Sequence, residues 1–106
     1  MGFSYKKSYE KLLKVAQDHG LKVLIVPKSM LKDYAGMNSR AADSMGFKMP
    51  DDTIYLAKAL TIRGRYHTLR HEISEFFEME KGHPYWTSHV TSLKIEDKGS
   101  LRCLFN

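Results

Sequence analysis

His71, Glu72 and Glu75 stand within one helical turn of the stretch RHEISEFFEMEKGHPYWTSH, residues 70–89. On an α-helix, residues four apart share a face, so His71 and Glu75 point together. An imidazole and a carboxylate at that spacing suit two ligands of one zinc ion. Glu72 is turned about 100° from His71 around the helix. There it is placed to take a proton from a metal-bound water, as the glutamate of H-E-x-x-H helices does. A catalytic zinc needs a third protein ligand and an open fourth position. His89 is the candidate, on the apolar face of the next expected helix beside Trp86, Val90 and Leu93. The set His71, Glu75 and His89 holds two histidines and one glutamate, and one zinc ion is the expected cofactor.

His67 lies four residues before His71 on the same stripe. Three ligands at i, i+4 and i+8 would span about 12 Å of helix, too far for one ion. His67 is therefore read as supporting the site or facing substrate. His19 and His83 are read as solvent-facing or capping residues. A plainer alternative stands beside the metal site. H-E-x-x-E on an exposed helix face is a common solvated charge pattern, and a histidine on an apolar stripe is more often a hydrogen-bonded core residue than a ligand.

The stretch DDTIYLAKALTIRGRYHTLRHEISEF resembles the zinc metallopeptidases of the ImmA/IrrE type and related minimal gluzincins. A strand like TIYL, a short turn and then HTLRHE follow in the family's order over residues 53–79, and more loosely over 84–93. The resemblance implies a zincin-like domain in which His71 is the first zinc ligand and Glu72 the catalytic glutamate. Glu75 stands where the family has its second ligand histidine. His89 falls near the downstream ligand, which is usually acidic. The strand Thr53, Ile54, Tyr55 and Leu56 would lie along the cleft and pair with an extended protein or peptide substrate. The corresponding function is a small zinc-dependent metallopeptidase, a hydrolase with a permuted site. The alternative is a non-catalytic zincin-like module that contacts a protein or nucleic acid.

The elements that must position these residues follow from periodicity. Residues 4–19 carry Tyr5, Tyr9, Leu12, Leu13, Val15 and Ala16 on one side of a helix, with Ser4 as N-cap and Gly20 at its end. LKVLIVP, 21–27, reads as a strand stopped by Pro27. Residues 28–52, with Gly36, Gly46 and Pro50, read as a connection with a short helical turn and a bent extended piece. TIYLAKAL, 53–60, begins as a strand. Residues 61–81 form the clearest helix, repeating Leu69, Ile73, Phe76 and Phe77, and Gly82 is its expected C-cap. A second helix is expected over 84–96 and a short strand in SLRCLFN. The fold class is α+β, a short sheet packed against helices, in a single domain over 1–106.

Composition sets the outer bounds. The chain has 106 residues, 42% hydrophobic and 27% charged, in the range of a globular domain. Cys103 is the only cysteine, so no internal disulfide forms and any metal must rest on His and carboxylates. No segment approaches the roughly 20 apolar residues of a membrane span, and the N-terminal residues lack a signal peptide's apolar run. The expected location is cytoplasmic, without membrane contact. The net charge of +5 admits a nucleic-acid partner without requiring one. The basic residues look dispersed, so a protein or peptide partner is expected first.

Overall fold

The structure is a computed structural model and describes residues 3–82. Helix α1, Tyr5–Asp18, starts where the Ser4 hydroxyl accepts a hydrogen bond from the Lys7 N–H at 3.3 Å. It buries Tyr9, Leu12 and Ala16, which recur at three- and four-residue steps as a single packed stripe requires. The helix stops at His19, whose Nδ1 lies 2.8 Å from the Val15 carbonyl. Gly20 then turns with φ of +80°, a conformation that costs other L-residues free energy. This turn lets the Leu21 N–H reach the Ala16 carbonyl at 2.9 Å and the Gly20 N–H reach that of Gln17 at 3.0 Å, satisfying carbonyls the helix end would otherwise leave open.

The sheet has three strands: β1 Lys22–Val26, β2 Gly36–Asn38 and β3 Thr53–Ala57. Their order is β1-β3-β2, with β1 parallel to β3 from Lys22↔Thr53 to Val26↔Ala57. β2 runs antiparallel to β3, with Gly36 opposite Leu56 and Asn38 opposite Ile54. All five residues of β3 are buried, because both faces of this central strand are covered. Ile54 and Leu56 meet Leu12, Leu69 and Ile73 of the helices. Tyr55 and Ala57 alternate to the other face and meet Val26, Leu31, Met37, Ala41 and Ala42. Fully burying each large aliphatic side chain stabilises by about 1.5–3 kcal/mol.

The connection over 28–52 contains the expected helical turn and extended piece and, beyond them, a second short helix. A short 3-10 turn, Lys28–Met30, precedes β2, and helix α2, Ser39–Ser44, follows it directly. A three-residue strand is too short to show a period, which is why the pattern does not reveal it. Helix α3, Ile62–Glu80, is capped by the Thr61 hydroxyl, which accepts from the Gly64 N–H at 3.1 Å. α1 and α3 run side by side in the same direction. Tyr5 meets Tyr66 and His67 at one end, and His19 meets Phe77 at the other. The architecture is thus a small α+β domain with a short mixed sheet packed against helices. The helix expected over 84–96 and the terminal strand lie outside the described residues, as does His83.

Candidate functional site

The structure does bring part of the H-E-x-x-E motif together. Along α3, His71 Nε2 lies 3.2 Å from Glu75 Oε2. Glu72 and Glu75 face inward and are only 7% and 2% exposed. Between them sits Asn38, fully buried, at the junction of β2 and α2. Its Nδ2 donates to Glu72 Oε1 at 2.9 Å and to Glu75 Oε1 at 3.1 Å, while its Oδ1 accepts from the Ala41 N–H at 2.9 Å. One amide side chain therefore fixes two carboxylates with its two donors and caps α2 with its acceptor. Gly36 makes the approach of β2 to α3 close enough for this. A Cβ there would stand 2.6 Å from Thr68 Cγ2 and 3.4 Å from Glu72 Cγ.

This geometry corrects the metal assignment. Among the described residues, no group of three or more His, Cys, Asp or Glu side chains could hold a metal ion. His71 and Glu75 contact each other, and the carboxylates are engaged by Asn38. A buried carboxylate tied to an amide donor is stabilised as a structural contact. His89, the expected third ligand, lies outside the described residues. The expected zinc ion, and with it the zinc metallopeptidase that would use Glu72 as base, is not supported. His67 packs instead in an aromatic cluster, its ring 5.7 Å from Tyr5 and 5.2 Å from Tyr66. Thr53, Ile54, Tyr55 and Leu56, the expected substrate strand, form the middle of the sheet. Both their edges are already hydrogen-bonded to β1 and β2, so another strand has nowhere to pair there.

No family model, curated protein or solved structure matches the chain. The resemblance to ImmA/IrrE-type zinc metallopeptidases thus finds no support beyond the motif, and the zincin-like assignment and the metal-binding, hydrolase description are withdrawn with it.

A different cluster is exposed at the end where α1 and α3 begin. Phe3 is 62% exposed and stacks edge-on with Tyr5, centroids 4.8 Å apart, and with Tyr66 at 5.5 Å. Tyr66 is buried and anchors the group to the core. The Arg63 guanidinium lies 5.8 Å from the Tyr5 ring centroid, within cation–π range. Lys6, Lys7 and Arg63 are all exposed here, and the first turns of both helices lack acidic residues. The next acid along α1, Glu10, lies one turn beyond Lys6. Deeper in, burial raises the Tyr9 phenol above its ordinary pKa, while Arg65 beside it works in the opposite direction.

Basic residues in a helix's first turn oppose the macrodipole and weaken the helix by a few tenths of a kcal/mol each. Helix stability therefore does not explain this charge. Along the sequence these lysines and arginines are dispersed, because Lys6 and Arg63 are far apart along the chain. Only the parallel packing of α1 and α3 makes them one face. The available signal was their shared position just after the caps Ser4 and Thr61.

Proposed function

We propose that the domain is a binding module for single-stranded nucleic acid. The carrying observation is the exposed Phe3 ring, backed by the partly buried Tyr5 and set among Lys6, Lys7 and Arg63. Bases stack on such rings regardless of sequence, and cations beside them neutralise the flanking phosphates. Phe3 offers its ring to a base, Tyr5 supports it, and Arg63 over Tyr5 is placed to meet a phosphate. His67 completes the aromatic floor. The net charge of +5 supports the same partner through long-range attraction. Glu72 and Glu75 take no part, since they serve to join α3 to β2.

The test is fluorescence anisotropy with a labelled oligothymidylate of about twelve nucleotides, within the usual site size. Three cations predict a log–log salt slope of roughly −2 for a single strand. Phe3→Ala should weaken binding by about 5- to 160-fold, the usual loss of one stacked base. Replacing Lys6, Lys7 and Arg63 together by Gln should flatten the salt slope. If duplex of the same length binds as well and Phe3→Ala changes nothing, the stacking reading fails. If polyglutamate binds and the oligonucleotide does not, the partner is instead an acidic protein segment.

A further inference from the structure

The second unexplained surface is the outer edge of β1. Among the described residues no strand pairs with it. The Lys22 N–H bonds to the Asp52 carbonyl at 2.9 Å, and the Val26 carbonyl accepts from the Lys58 N–H at 2.8 Å. Lys22 and Val26 thus turn their main-chain polar groups towards β3, and by strand alternation so does Leu24. Val23 and Ile25 must then turn theirs outward. The side chains along this edge are apolar, with Leu24 45% and Ile25 41% exposed. Soluble proteins usually guard such an edge with a central charge, a proline or a bulge. β1 has none of these between Lys22 and Pro27.

We propose that β1 pairs antiparallel with β1 of a second copy of this chain, about a two-fold axis through Leu24. Val23 then lies opposite Ile25 of the partner subunit, and each such pair exchanges both of its N–H···O bonds. Leu24 faces Leu24 of the partner subunit in the non-hydrogen-bonded position, where Cα atoms approach to about 4.5 Å and side chains pack closely. The outward groups are thus self-complementary, as a two-fold interface requires. Charge favours the same arrangement. Exposed Asp51, Asp52 and Lys22 leave a net charge of −1 at the end where β1 begins, and the exposed bases Lys28 and Lys58 lie where it ends. Antiparallel pairing sets each end beside its opposite. An acidic peptide would meet Asp51 and Asp52 as well as Lys22, Lys28 and Lys58, and it would set its charges against the apolar Leu24 and Ile25, so it fits less well. One five-residue strand buries less than a standard interface, so the association is in the micromolar range rather than the nanomolar.

Sedimentation of the full chain from about 10 µM to 1 mM, spanning that range, tests this. The expected mass rises from 12.2 kDa towards twice that value. Ile25→Pro removes an N–H that β1 does not use to pair with β3, so the monomer should keep its fold. It should weaken self-association at least about tenfold, or 1.4 kcal/mol. In a Cys103→Ser background, Leu24→Cys should oxidise to a linked dimer and Lys22→Cys should not. A monomer at every concentration overturns the proposal. So does a dimer that Ile25→Pro leaves unweakened, or one that cross-links through Lys22→Cys and not Leu24→Cys.

Discussion

β1 and β2 flank the same central strand, yet they are opposite in character. β2 is three residues long and wholly buried. It lies against α2 and α3 and ends in Asn38, which holds two carboxylates of α3. β1 is five residues long and shows Leu24 and Ile25 to solvent. The polar edge is sealed and the apolar edge is open. The residue types that suggest catalysis sit where the fold needs a joint. The residues that suggest mere core, Leu and Ile in a strand, sit where a partner fits.

The contrast is broken most directly at Asn38. Replacing it by Asp keeps the size and the acceptor that caps α2, but removes both donors to Glu72 and Glu75 and adds a third buried carboxylate. Charge-assisted hydrogen bonds contribute about 1.5–3 kcal/mol each, and an uncompensated buried charge costs a further several. Asn38→Asp should therefore destabilise by more than about 3 kcal/mol at neutral pH in urea unfolding, more than Asn38→Ala does. If Asn38→Asp is as stable as the parent, the carboxylates are not held as the geometry indicates, and their role as a joint is wrong.

Gly36 tests the same joint by shape. An added methyl group would stand 2.6 Å from Thr68 Cγ2 and 3.1 Å from the Tyr55 carbonyl oxygen, so β2 and α3 must part or the side chain must move. Overpacking of this kind costs about 1–3 kcal/mol. Thr68→Ser removes the offending methyl group. In a double-mutant cycle it should recover part of the loss, a coupling of about 0.5–1.5 kcal/mol. Strict additivity of the two changes would mean that the Tyr55 carbonyl alone limits the approach.

The two edges also differ in how far their sequences announce them. α1 and α3 are legible because each is long enough to repeat an apolar period, β1 and β3 because their residues favour extended structure, and Ser4 and Gly20 mark the ends of α1 as expected. β2 and α2 are not, since a Gly-Met-Asn strand and a six-residue helix carry too little pattern to stand out. Missing β2 hid Asn38, and without Asn38 the glutamates of HEISE looked unoccupied. His71 and Glu75 do share a helix face, so the local geometry was readable. What filled that face was not, because the partner lies 34 to 37 residues away along the chain. The Phe3–Tyr5 face was hidden for the same reason, as its cations come from two helices whose parallel packing no local pattern encodes.

The smallest expected effect on stability is at the open edge, and it sharpens the comparison most. Leu24→Lys places a charge in the middle of β1 on a side chain already 45% exposed. Because the main-chain bonds to β3 are untouched and little apolar area is lost, unfolding free energy should change by no more than about 0.5 kcal/mol. A central lysine is also what protected edge strands carry, so self-association should fall while the monomer is left as it was. A loss of several kcal/mol from Leu24→Lys would instead mean that this side chain is buried in the working state of the monomer. In that case the chain itself closes the edge of β1, and the contrast between a sealed and an open side of the sheet would disappear.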